Sequence, residues 1–232
     1  MNKRTFTLPE IEQLVERYGQ STPEVILSKA YEELPSLTFA CSFGAEDMVL
    51  MDMIMKINPN AQIFYLDTEV LFPETYALRD QVLAQRVAPS LTQVRPALSL
   101  AEQATQYGDR LWEKDPDACC KVRKVTPLTN YLQEYDGWIT GIRREQSITR
   151  ANANIFEWDH KFTMLKVNPL VTWTTQQVWD YIHDHHVPYN PLHDNGYPSI
   201  GCLHCTRPVQ AGEDPRNGRW SGLGKTECGL HQ

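Results

Sequence analysis

Short apolar runs alternate with amphipathic stretches along most of this chain, and that alternation constrains its fold most. Residues 37–41, 62–66, 91–94, 138–140 and 162–167 read as strands, 37–41 and 62–66 being the apolar ones. Ile11, Leu14, Val15 and Tyr18, then Leu27, Tyr31 and Leu34, recur at helical spacing. Residues 46–56, 72–85, a segment from Ser99, and 116–132 are predicted as further helices. Thr174 and Gln177 form a capping box for one that runs through Ile182. Strands alternating with helices predict an α/β fold, an open, mostly parallel twisted sheet flanked by helices. With no repeat or linker in 232 residues, a single domain over 1–232 is expected. Pro and Gly multiply after Asn190, and about 209–232 are expected to form an irregular, mobile C-terminal arm.

Composition narrows the function. The net charge is -7, which disfavours a general nucleic-acid binder. No apolar run reaches the length of a membrane span, and the first residues carry no signal-peptide pattern. A cytoplasmic protein with no membrane and no nucleic-acid partner is expected.

In such a compartment clustered cysteines point to metal or catalysis rather than disulfides. Cys119 and Cys120 are adjacent, and Cys202 and Cys205 form a C-x-x-C. A disulfide between neighbours is strained, so the four thiols read as one metal centre. Zinc and iron–sulfur are both open, and the adjacent pair favours iron–sulfur. Cys41 lies in an apolar strand and reads as core. Met48, Met51, Met53 and Met55 read as core packing rather than as a metal site. Cys228 stands alone near the C-terminus.

Ser42-Phe43-Gly44-Ala45-Glu46-Asp47 joins the first strand to a helix. Such a turn directs N–H groups at an anion, or is an ordinary connection; it lacks the Gly-Lys-Ser/Thr ending of a phosphate-binding P-loop. Asp67, at the end of the second strand, either bonds a ribose or base or caps its loop. Positive charge gathers at Lys121, Arg123 and Lys124, at Arg143 and Arg144, at Arg207, and at Arg216, Arg219 and Lys225. Repeated at strand ends and beside cysteines, it points to a ligand with two anionic groups.

Six ordered motifs carry a resemblance. They are Ser42 to Asp47; Leu66-Asp67-Thr68 with Phe72-Pro73-Glu74-Thr75-Tyr76; Cys119-Cys120-Lys121-Val122-Arg123-Lys124; Thr140-Gly141-Ile142-Arg143-Arg144-Glu145-Gln146-Ser147; Ile200-Gly201-Cys202-Leu203-His204-Cys205-Thr206-Arg207; and Gly218-Arg219-Trp220 with Glu227-Cys228-Gly229-Leu230-His231. From about residue 37 to 231 the chain resembles the assimilatory adenylylsulfate/phosphoadenylylsulfate reductases, of the adenine nucleotide α-hydrolase-like fold. The resemblance implies a [4Fe–4S] cluster on Cys119, Cys120, Cys202 and Cys205, and Cys228 as nucleophile. It implies substrate contacts from Ser42, Phe43, Gly44, Ala45, Asp67, Thr68, Lys124, Arg143, Arg144, Arg207, Arg216, Arg219 and His231. It further implies adenylylsulfate as substrate, thioredoxin or a similar dithiol protein as reductant, and a Cys228 S-sulfonate intermediate; association into a homo-oligomer stays open. Members with all four paired cysteines mostly use adenylylsulfate, and those without them use the 3′-phosphorylated form. Where many relatives read Leu-Asp-Thr-Gly-Arg, this chain has Glu69-Val70 after Thr68. A carboxylate near the ribose is expected to disfavour a 3′-phosphate. The rivals are a phosphoadenylylsulfate or dual-substrate reductase, an ATP pyrophosphatase-type enzyme, which usually carries Ser-Gly-Gly in the first turn, and a zinc-stabilised binding module.

Overall fold

The computed structural model describes residues 4–85, 88, 91–210, 212–222, 225 and 227–230. The chain, expected as one domain, forms two compact units, each assembled from three stretches, so no single linker separates them. The first comprises 1–65, 78–92 and 132–189; the second comprises 66–77, 93–131 and 190–232.

The first unit opens with α1 (Leu8–Tyr18), started by a Thr7–Glu10 capping box, and α2 (Pro23–Glu33), with proline in its first turn. Strand β1 (Leu37–Ala40) leads into α3 (Ala45–Ile57), then β2 (Gln62–Leu66). Helix α4 (Pro73–Ala84) and strand β3 (Leu91–Val94) follow, both crossing the division between the units.

Helix α3 buries Met48, Val49, Leu50, Met51, Met53 and Ile54. A helix apolar on nearly all sides belongs inside a core, so these methionines pack, as expected. Cys41 is buried in the same cluster, beside Phe39 and Ile63.

The second unit contains α5 (Leu100–Tyr107), begun by a Ser99–Glu102 capping box, then α6 (Leu111–Lys114) and α7 (Pro116–Cys120). A π-helical turn, Lys121–Val125, joins α7 to α8 (Thr126–Leu132). The single helix predicted over 116–132 therefore changes winding just after its cysteine pair.

The chain then returns to the first unit through β4 (Gly137–Ile139), β5 (Phe156–Asp159), β6 (Met164–Val167) and α9 (Thr175–Asp184), whose Thr174–Gln177 capping box is present as predicted. The sheet order is β3-β2-β1-β4-β6-β5. β1 runs parallel to β2 and β4, and β4 parallel to β6; β5 pairs antiparallel with β6. Sequence reasoning missed β5. Only Phe156 of its four residues is buried, so the strand offers no apolar run.

Candidate active site

In the first unit, β1 ends at the Ser42–Asp47 turn. Phe43 adopts φ 62°, a left-handed backbone that glycine would take without strain. Its ring is held in the core edge-to-face with Tyr65, centroids 5.4 Å apart. That contact holds a phenylalanine in this backbone conformation. Gly44 caps α3, whose first-turn N–H groups and dipole favour an anion. The acidic first turn is offset. Glu46 pairs with Arg143 at 2.8 Å, and Asp47 accepts from the Ser42 N–H at 2.6 Å and from its hydroxyl at 2.5 Å. Gly141 must lack a side chain, because a Cβ there would overlap Asp47 Oδ1.

Burial pushes the Asp47 carboxyl up to about 6, against the Ser42 hydrogen bonds that lower it. The folded value lies above the unfolded one, so the native state holds the extra proton between roughly pH 4 and 6. The stability tied to this group is full below the unfolded value and is lost as pH rises through about 6, a difference of roughly 3 kcal/mol. Asp47→Asn is expected to remove this slope. Urea unfolding of both proteins from pH 4 to 7 should show wild-type stability falling relative to the variant as pH rises.

Arg143 is buried and also bonds Glu145 at 2.9 Å, the Trp173 carbonyl at 3.1 Å and Thr175 at 3.2 Å. Arg144 is exposed and donates to the Ala153 carbonyl at 2.7 Å and to Asn154 at 3.1 Å. Both guanidinium groups are thus engaged by the protein.

In the second unit, four thiols share one pocket. Cys119 and Cys120 come from α7, and Cys202 and Cys205 flank a short 3-10 turn. Cys202 is fixed by a bridge to Leu71, and its sulfur lies 3.3 Å from the Thr68 hydroxyl. Burial pushes the Cys119 thiol up to about 12 and Cys205 up to about 11, and raises Cys120. Burial would raise Cys202 too, but Lys124, the Thr68 hydroxyl and Arg219 together hold it below its ordinary value. Among the described residues no three His, Cys, Asp or Glu close on a point that would hold a single ion.

Lys124 sits among these sulfurs. Burial alone would lower its ammonium, but Cys202, Cys228 and Cys120 raise it above its ordinary value. The terminal cysteine therefore lies within electrostatic reach of Lys124 and of the pocket. The arm that carries it was expected to be mobile, yet its described part is anchored. Trp220 is buried, Thr206 bridges to Arg219, Lys225 pairs with Asp117 at 2.6 Å, and the buried Glu227 pairs with Arg216 at 3.0 Å. The Glu227 carboxylate beside Cys228 is thus offset. Arg207 forks onto Glu213 at 3.0 and 3.2 Å. Arg219 stacks over Trp220 at 4.5 Å and donates to Ser199 and the Ile200 carbonyl, while its Nε is buried without a hydrogen-bond partner among the described residues. A Cβ at Gly201 would overlap that guanidinium. His231 lies outside the described residues.

Asp67 is fully engaged. It accepts from Tyr76 at 2.7 Å, from Gln93 at 2.5 Å and from the Glu69 N–H at 2.9 Å. Burial would raise its carboxyl, but these bonds and Arg95 hold it below the usual carboxylate range. Of its two sequence readings, the loop anchor is the role its side chain performs here. Glu69, expected from sequence to place a carboxylate near the ribose, pairs with the buried Arg123. A guanidinium 1% exposed needs a counter-charge, and Glu69 supplies it. Its φ of 61° is a left-handed backbone that glycine would take without strain. Sequence reasoning noted Arg123 only as part of a basic cluster. Its place three and four residues after the cysteines, on one helical face with them, was the available clue.

The open sheet, the anion-favouring turn at the end of β1 and the cysteine pocket together define an enzyme of adenine nucleotide α-hydrolase-like fold. The chain belongs to the phosphoadenosine phosphosulfate reductase family, whose domain model matches residues 36–208. It is 49% identical over 223 residues to a protein named adenosine 5′-phosphosulfate reductase from Halalkalibacterium halodurans, covering 96% of each chain. A Shouchella clausii protein of the same name is 52% identical over 195 residues, 84% of this chain and 81% of that one. A Gloeobacter violaceus protein named phosphoadenosine 5′-phosphosulfate reductase is 49% identical over 224 residues, covering 95% of this chain and 93% of the relative. Among solved structures, phosphoadenylyl-sulfate reductase from Candida auris in a phosphate complex superposes with a TM-score of 0.80 at 31% identity, over 89% of this chain and 100% of that one. FMN adenylyltransferase from Candida glabrata shares the fold alone, with a TM-score of 0.61 at 13% identity over 96% of this chain and 81% of that one.

Proposed function

We propose that this protein reduces adenylylsulfate to sulfite and AMP in sulfate assimilation, in the cytoplasm, with thioredoxin or a similar dithiol protein as reductant. The Cys228 thiolate attacks the sulfur of the sulfate group. The bond from that sulfur to the phosphate oxygen breaks, AMP leaves, and a Cys228 S-sulfonate remains. One thiolate of the reductant then attacks Cys228 Sγ, and the electron pair of the S–S bond leaves with sulfite. The second thiol displaces Cys228 and closes the reductant's disulfide, so the dithiol supplies both electrons.

The observation that carries this reading is Lys124, which lines the pocket of the four thiols, with Cys228 near enough to bear on its charge. It offsets the repulsion between a thiolate and the dianionic phosphosulfate. Arg207, Arg216 and Arg219 act with it from the same unit, and His231 keeps the role the resemblance implies. The Ser42–Ala45 turn takes the phosphosulfate, and Arg143 keeps that turn receptive by neutralising Glu46. Arg144 holds the loop that follows. Asp67 and Thr68 set the loop that receives the nucleoside.

The donor set fits a [4Fe–4S] cluster. Four thiols around one pocket suit one thiolate per iron, as a four-cysteine cluster requires. When bound, the cluster would supply the thiolate charge that Lys124 answers, and no electron of the reaction is routed through it.

Relatives from Halalkalibacterium and Shouchella favour adenylylsulfate by their names; the equally similar Gloeobacter protein favours the 3′-phosphorylated substrate as the second reading. Steady-state rates with one reductant decide. Adenylylsulfate is expected to have the higher kcat/KM by at least about tenfold, a difference of about 1.4 kcal/mol. Equal values, or the reverse order, would favour the second reading.

A further inference from the structure

We propose that the indole N–H of Trp112 donates a hydrogen bond to sulfur of the cluster held by Cys119, Cys120, Cys202 and Cys205, making Trp112 a positioning residue for that group. The inference rests on the cluster reading above and goes beyond the four ligands to the shell that holds them.

Trp112 lies in α6, one short helix before the cysteine pair, and lines the same pocket as the four thiols. Its ring lies flat against His204, with centroids 4.3 Å apart and planes 8° from parallel. His204 stands between the two cysteines of the C-x-x-C, so the stack orients the indole relative to Cys202 and Cys205. The Nε1 atom is buried and has no hydrogen-bond partner among the described residues. Leaving such a donor unpaired is costly, and native chains rarely do so.

The pocket's other walls cannot accept this proton. Val70 and Pro116 present apolar side chains, Arg123 and Lys124 are donors, and His204 meets the indole face to face. The Pro116 carbonyl already accepts from Lys225 at 3.2 Å. Among the side chains that line the pocket, sulfur is the remaining acceptor. Hydrogen bonds to cluster sulfur shift charge off iron, strengthen retention of the group and tune its electronic state.

The test uses anaerobically purified full-length protein and Trp112→Phe, which keeps a ring against His204 and removes the N–H. Iron and acid-labile sulfide are measured first. Resonance Raman spectra are then taken in H2O and D2O, and cluster bleaching by a chelator is timed. The wild type is expected to show deuterium-sensitive iron–sulfur stretches. In Trp112→Phe part of that sensitivity should disappear, and bleaching should be about tenfold faster, the lower end for loss of an outer-shell partner. Should Trp112→Phe not fold, benzothienylalanine at position 112, which puts sulfur in place of N–H at nearly unchanged shape, gives the same readings. An unchanged isotope shift and unchanged bleaching in an iron- and sulfide-loaded variant would overturn the proposal and leave the cluster reading standing. A wild type holding one zinc and no sulfide would instead overturn the cluster reading, and the role of Trp112 with it.

Discussion

Cys228→Ser is expected to abolish sulfite formation, with a loss of activity on the order of 10⁴-fold or more, as removal of a covalent nucleophile does. Iron and sulfide content should stay at the wild-type level, because the four pocket thiols are untouched. Without reductant, wild-type protein given adenylylsulfate should gain one sulfonate on Cys228 by peptide mass, and the variant none. An adduct on another cysteine, or undiminished turnover in the serine variant, would end the mechanism. The same material tests motion of the arm. Its anchors, Lys225–Asp117 and Arg216–Glu227, are ion pairs within one unit, and the arm must release Cys228 to an incoming reductant. We propose that it closes over bound nucleotide and opens once Cys228 is sulfonated. Limited proteolysis should then cut it more slowly with AMP bound; equal rates would remove the lid and leave the nucleophile in place.

Arg123→Met is expected to destabilise the protein by about 3–5 kcal/mol, because the Thr68 carbonyl, Gln103 and the Leu98 carbonyl lose their buried donor at about 1–3 kcal/mol each. Its guanidinium donates to the Thr68 carbonyl at 2.7 Å, to Gln103 at 2.9 Å, to the Leu98 carbonyl at 3.3 Å, and to Glu69. One side chain thus joins the π-helical turn after the cysteines to the loop that carries Asp67 and Thr68. The urea midpoint should fall with an unchanged slope, and KM for adenylylsulfate should rise more than kcat falls. Glu69 is 33% exposed and can rehydrate, so Glu69→Gln added to Arg123→Met should cost much less than it does alone. Full additivity would show that the two side chains act independently.

The alternation of strands and helices, the capping box at Thr174 and the burial of Met48, Met51 and Met53 in α3 were legible in the chain's local pattern. Each depends on residues a few positions apart, and backbone geometry turns such spacing into structure locally. The paired cysteines and the turn at Ser42 are equally legible, because chemistry that needs several groups of one type leaves them clustered in sequence. β5 was not legible, since an edge strand with one buried residue carries no apolar run. Tertiary structure alone decided that Asp67 is engaged by Tyr76 and Gln93, that Glu69 faces Arg123 rather than a ligand, and that Trp112 lies against His204. These partners are 9 to 92 residues apart. Which carboxylate remains for a substrate, and which buried N–H lacks an acceptor, depends on desolvation and on every neighbour at once. That is a property of packing, and no local pattern records it.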